Sequence, residues 1–180
     1  MRSFFIAAAA LCSLVSAAPA VLTPPPAGTQ FYQLQSKSPT TAVNNQWVAL
    51  KTGATTYSLA SSQTAATKFW FRKYDPTGTY LFFNADDTRQ VALQGPNGTL
   101  LYAVDVINPN TGNIPGGQLM EWGTFTTDAN VVGVKDGSTL TTRTFVGVKV
   151  SDGYNVAFYD GISATTQTIA PLTLNIVKAT

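Results

Sequence analysis

Histidine is absent from the 180-residue chain, and cysteine and glutamate occur once each, as Cys12 and Glu121. Without histidine there is no Ser-His-Asp triad, no imidazole metal cluster and no N-terminal histidine for a copper oxygenase. A lone cysteine excludes an internal disulfide framework and the thiolate metal sites that need several such ligands. Charge is also scarce. Only 11% of residues are charged and the net charge is +2, against roughly 25% charged residues in ordinary soluble domains. Such a balance offers no concentrated basic face for nucleic acid. Beyond the N-terminus no apolar run is long enough to cross a bilayer, so no membrane role is expected.

Threonine fills the gap left by charge, outnumbering all the charged residues together, and 44% of the chain is apolar. The N-terminus reads as a secretory signal over residues 1–17. Arg2 is its positive end, Phe4 to Val15 its apolar run, and Val15-Ser16-Ala17 its small cleavage residues. The run is too short for a membrane anchor, which takes roughly 20 residues, so a secreted or cell-wall-associated protein is expected. Cys12 leaves with the signal, and the remainder, from Ala18 to Thr180, has neither thiols nor disulfides. A domain near that size buries about 68–70% of its unfolded surface and can fold without cross-links. Residues 18–29 carry four prolines, including Pro24-Pro25-Pro26, and read as a flexible extended arm. Residues 30–180 then form one domain, expected to be a monomer. Asn97-Gly98-Thr99, inside the turn Gly95-Pro96-Asn97-Gly98, is an N-glycosylation acceptor.

From Phe31 onward short runs of β-branched and aromatic residues end at Gly, Pro, Asn or Asp turns, and no long amphipathic helical pattern occurs. The pattern predicts strands at 31–35, 46–51, 56–60, 68–74, 79–84, 90–94, 99–106, 119–126, 131–135, 140–144, 145–150, 155–159, 165–169 and 172–177. Leu172, Leu174 and Ile176 face one way and Thr173 and Asn175 the other. The domain is all-β. A weak echo narrows this: Phe31-Tyr-Gln-Leu-Gln with Gln46-Trp-Val-Ala-Leu-Lys, Tyr80-Leu-Phe-Phe-Asn with Gln90-Val-Ala-Leu-Gln, and Phe145-Val-Gly-Val-Lys with Asn155-Val-Ala-Phe-Tyr. The interval from Tyr80 to Phe145 is longer than that from Phe31 to Tyr80, and a hairpin between Asp128 and Thr144 would account for the excess. Threefold repetition of about four strands points to a β-trefoil, with a two-sheet β-sandwich as the alternative.

The inventory leaves little catalytic chemistry. Glycoside hydrolysis usually needs two carboxylates, and with Asp75, Asp136, Asp152 and Asp160 assigned to turns only Asp86, Asp87, Asp105, Asp128 and Glu121 remain. Asp86-Asp87 could meet a calcium ion but lacks the alternating ligands of a calcium loop, so a polar turn is expected. No catalytic residue, cofactor or metal site is therefore assigned. The most suggestive segment is Lys68-Phe69-Trp70-Phe71-Arg72-Lys73-Tyr74. On a strand Phe69 and Phe71 share one face, and Lys68, Trp70, Arg72 and Tyr74 the other. With the phenylalanines inside, Trp70, Arg72 and Tyr74 form an outward stripe suited to a sugar ring; alternatively Trp70 is buried under a neighbouring loop. Trp47 and Trp122 read as core.

Ala18-Pro19-Ala20 after the leader, Gln30-Phe31-Tyr32-Gln33-Leu34, an Asn-rich bend and Trp47-Val48-Ala49-Leu50 together resemble the start of small secreted fungal proteins of the cell-wall or effector type, some with a trefoil-like β fold. The resemblance implies an extracellular, non-enzymatic role and brings no functional residues with it. The expected activity is binding of cell-wall polysaccharide or an extracellular protein. The alternative is a protease inhibitor or host-directed effector presenting loops, such as Asn108 to Gly117, from a rigid scaffold.

Overall fold

The computed structural model describes residues 24–180. The signal and the first half of the arm (18–23) lie outside the described residues. The chain is all-β and antiparallel. Its first half runs β1 (Tyr32–Lys37), β2 (Trp47–Ala49), β3 (Ser58–Ala60), β4 (Phe69–Tyr74), β5 (Thr79–Asn84), β6 (Arg89–Gly95) and β7 (Leu100–Ile107). The second half adds β8 (Leu119–Glu121), β9 (Phe125–Thr126), β10 (Gly133–Val134), β11 (Thr144–Val150), β12 (Gly153–Tyr159) and β13 (Ile169–Lys178). Among the described residues the only helical pieces are four three-residue 3-10 turns.

Six strands close on one another. β1 pairs with β4, β4 with β5, β5 with β9 and β9 with β10. The approach to β10 reaches β13 through the Val131–Asn175 bridge and the Val132 amide, which donates to Leu174 at 2.9 Å. β13 returns to β1 over six residue pairs. Three hairpins, β2–β3, β6–β7 and β11–β12, together with β8, which pairs with β6, account for the remaining strands. Their second strands meet one another: β12 pairs with β3 and with β7, and Thr56 bridges Val104.

The ring strands send apolar side chains into one core, among them Leu34, Phe69, Phe82, Phe125, Leu172 and Leu174, with Val132 just before β10. Alternation with period 2 dictates this choice, and burying each side chain is worth roughly 1.5–3 kcal/mol. Stacked rings run across the sheet from Tyr32 to Phe71 (4.8 Å), Phe71 to Phe82 (4.1 Å) and Phe82 to Phe125 (4.7 Å). Such pairs add about 0.5–1.5 kcal/mol each beyond their burial.

Several expectations need correction. Residues 140–143 and 165–168 are loops; their threonine-rich composition imitates a strand, but most of these side chains are exposed. The stretch 119–126 is two strands, broken where Gly123 takes a φ of +66°. The third member of the sequence echo is out of phase. β11 and β12 form a full hairpin over seven pairs, whereas β1–β2 and β5–β6 touch at one pair each.

Candidate functional site

A concave surface forms where the end of the β4–β5 hairpin, the β8–β9 break and the loop after β10 come together. The hairpin closes where Tyr74 pairs with Thr79. Thr79, fully buried, donates its hydroxyl to the Gly123 carbonyl, which docks the hairpin end on the break between β8 and β9. A side chain at Gly123 would meet Leu81 at 3.0 Å and the Tyr74 ring at 3.5 Å, so glycine there sets both the turn and the Tyr74 position. Beyond β10 the Lys135 amide donates to Thr124 at 2.7 Å, and the chain enters the loop from Asp136 to Arg143.

That loop is held by charge. Asp136 accepts from the Ser138 amide at 2.9 Å and pairs with Arg143. The two side chains are only 8% and 10% exposed, and the guanidinium lies 4.7 Å over the Phe158 ring. Thr142 donates to the Asp160 carbonyl at 2.7 Å, and a Cβ at Gly161 would strike the Thr142 carbonyl oxygen at 2.2 Å. The loop is thus pressed against the 160–163 turn. Asp160 accepts from the Ile162 and Ser163 amides, both at 3.0 Å, and from the Ser163 hydroxyl at 2.5 Å. Burial works against ionisation of Asp160, but these hydrogen bonds and the Arg143 charge outweigh it and hold the carboxyl below its ordinary value.

Three hollows meet at Asp136. One of about 530 Å³ is lined by Val132, Lys135, Leu140, Arg143, Phe145 and Phe158 among others. A second of about 370 Å³ is lined by Gly98, Thr99, Glu121, Asp136, Ser138, Leu140, Arg143 and Asp160. The third, about 270 Å³, is lined by Tyr74, Leu81, Met120, Glu121, Trp122, Thr124 and Asp136. Among the described residues five side-chain polar atoms closed to solvent have no hydrogen-bond partner, and three of them belong to residues whose other atoms line this cleft: Glu121 Oε2, Thr124 Oγ1 and Arg143 Nε. Leaving a buried polar group unpaired costs about 1–3 kcal/mol. Burial pushes the Glu121 carboxyl above its ordinary value, with the Arg143 charge opposing.

The stripe expected from alternation is only partly present. Phe69 and Phe71 face the core as expected, but Trp70 is 4% exposed and offers no open face. It stacks on Phe83 at 4.3 Å in a cluster with Leu81, Phe31 and Trp122. The covering residues come from distant segments, so β4 is buried on both faces there. Arg72 is exposed and lies 4.8 Å over Phe83. Tyr74, 40% exposed, joins the cleft, and its aromatic neighbour there is Trp122. Trp122 is half-buried, and Trp47 is buried. Asn97 is exposed, its side-chain oxygen accepts from the Thr99 amide at 3.0 Å, and Gly98 and Thr99 place it on the cleft rim.

Asp136, Asp160, Arg143 and Thr124 were not legible as a site. The two aspartates do have turn roles, and their convergence with Arg143 depends on tertiary packing. The Asp86 turn holds to the polar reading with a difference: Asp86 is buried, and its Oδ1 accepts from the Thr88 amide at 2.7 Å, the Thr88 hydroxyl at 2.5 Å and the Arg89 amide at 3.2 Å. A second network is fully partnered. Asp105 accepts from the Tyr57 hydroxyl and the Asn84 amide, both at 3.1 Å, and pairs with Arg89. Burial first, then the Asp105 charge, pushes the Tyr57 hydroxyl well above its ordinary range and keeps it a donor. This network braces the hairpins. Comparison with protein-family models, curated proteins and solved structures finds no match.

Proposed function

We propose that this is a secreted, non-catalytic β protein that acts at the cell wall or in the extracellular space by binding glycan in the cleft centred on Asp136. The observation that carries the reading is a pair of hollows that share Glu121 and Asp136, one holding the rings of Tyr74 and Trp122 and the other holding Ser138, Arg143 and Asp160. Sugar hydroxyls both donate and accept, and sugar C–H faces lie well on aromatic rings. A concave site with a few convergent polar groups and a perturbed carboxyl is where a ligand is sought first. Catalysis is disfavoured because two of the three carboxylates are committed, Asp136 to Arg143 and Asp160 to Ser163 and Ile162. A glycosidase needs a second carboxylate available beside Glu121.

The fold reading that goes with this function is a β-trefoil. It is supported by the closed ring of six strands, the three hairpins that meet one another, and the spacing of the units. The three units begin at Tyr32, Thr79 and Val131, at nearly equal intervals along the chain. A two-sheet sandwich would leave edge strands where β1, β10 and β13 instead join. Secretion rests on the signal-like residues 1–17.

The test is a pull-down of wild-type protein on insoluble cell-wall polysaccharides, repeated with Tyr74→Ala and with the soluble products assayed. Retention of wild type, weaker retention of the variant and no released sugar are expected; released oligosaccharide would make it an enzyme. One observation favours the inhibitor reading as the second choice. The exposed loop from Asn108 is braced by its own asparagines: the Gly112 amide donates to the Asn110 side chain at 2.9 Å and the Asn113 side chain to the Asn108 carbonyl at 3.2 Å. A protease panel tests it.

A further inference from the structure

The charges around the cleft are unequal, and on the glycan-binding reading above that inequality selects the sugar. Glu121, Asp136 and Asp160 line the middle hollow against one cation, Arg143. Lys135 is exposed and borders only the widest hollow. Arg143 already pairs with Asp136, and Asp160 takes three donors from its own turn. Glu121 is the member left with a buried oxygen and no partner. The site is more than its carboxylates: the rings of Tyr74 and Trp122 share the Glu121 hollow, and Tyr74 is 40% exposed. An anionic sugar entering here would meet excess negative charge, because the guanidinium is engaged. A ligand cation would meet the opposite.

We propose that the cleft binds an amino sugar, its ammonium group on Glu121 and its ring against Tyr74 and Trp122, and rejects uronic acids. An ammonium has three donors and no acceptor, so it suits the Glu121 carboxylate, which lines the hollow and has no ion pair among the described residues. A charge-assisted hydrogen bond of this kind is roughly twice as strong as a neutral one. The rings of Tyr74 and Trp122 in the same hollow account for the sugar rather than for any amine.

The experiment is calorimetric titration of the full secreted chain, wild type and Glu121→Gln, with oligomers of glucosamine, N-acetylglucosamine and galacturonic acid of equal length at pH 5.5. Wild type is expected to bind the glucosamine oligomer about tenfold more tightly than the N-acetylated one, a difference of about 1.4 kcal/mol, and the galacturonic oligomer least. Glu121→Gln should erase the preference while melting no lower than wild type, and Glu121→Asp should retain it in part. Galacturonic oligomers binding as tightly as glucosamine, or a preference that survives Glu121→Gln, would overturn the proposal. Equal binding of all three overturns the charge selection and leaves the glycan reading standing; binding of none removes both.

Discussion

Replacing Arg143 by alanine is the most informative single lesion, because the residue closes the loop, covers Phe158 and faces the cleft. Its side chain and that of Asp136 are 10% and 8% exposed. Removing one partner of a buried ion pair leaves an uncompensated charge and costs about 3–5 kcal/mol. The contact with Phe158 is part of that loss, since a cation over a ring at this depth is worth about 0.5–2 kcal/mol. For a chain of this size each kcal/mol moves the melting temperature by roughly 2–4 °C, so a fall of about 6–20 °C is expected. Urea titration measures the free energy directly, with an unchanged m-value marking a stability change alone. The double variant Arg143→Met with Asp136→Asn should recover most of the loss. It removes both charges of the pair together, and asparagine keeps the oxygen that accepts from Ser138. A loss under about 1 kcal/mol for Arg143→Ala would place the pair in the weak class of exposed ion pairs and refute the argument that it clamps the loop.

The remaining predictions follow from single observations. Burial raises the Glu121 carboxyl in the folded state above its ordinary 4.5, so its contribution is full below that pH and is lost as pH rises through the folded value. Glu121→Gln should therefore gain stability over wild type as pH is taken from 4 to 7 in urea melts; a constant gap would contradict this. Asp160 is held below its ordinary 3.8, so its stabilisation is present above that value and fades as pH falls further; Asp160→Asn should flatten the acid limb of the same curves. Trp70→Ala should act as a core lesion of about 3–5 kcal/mol, whereas Arg72→Ala, at an exposed position, should leave the urea midpoint nearly unchanged. Protein secreted from a eukaryotic host should carry an enzymatically removable mass at Asn97 that Asn97→Gln eliminates; an unmodified wild-type mass refutes it.

The all-β class was legible because period-2 alternation and turn residues act locally: Leu172 and Leu174, expected on one face, are both buried. What failed was set by distant parts of the chain. The alternation around Trp70 correctly sent it away from Phe69, yet no local rule shows that Phe31 and Trp122 cover that face. The third echo misled because Phe145-Val-Gly-Val-Lys and Asn155-Val-Ala-Phe-Tyr are both strands of the right composition, and only their pairing shows them to be one hairpin. Asp136 and Asp160 fit their turn roles so well that nothing in the sequence marked a second one. The cleft is assembled from the β4–β5 turn, the β8–β9 break, the 136–143 loop and the 160–163 turn, and a site shared among four segments leaves no compact motif. Tyr74, singled out from alternation, lines it.

The hollows meeting at Asp136 are proposed to receive a sugar against the exposed ring of Tyr74, beside Trp122 and Glu121. The most telling measurement is the affinity of Tyr74→Ala for whichever cell-wall oligosaccharide wild type retains. Tyr74 is 40% exposed, so its ring is open to a ligand, and removing it should weaken binding by more than about 1 kcal/mol, as truncation of an anchoring aromatic does, while circular dichroism shows the fold retained. Unchanged affinity in a folded Tyr74→Ala protein would contradict the account and place the sugar elsewhere.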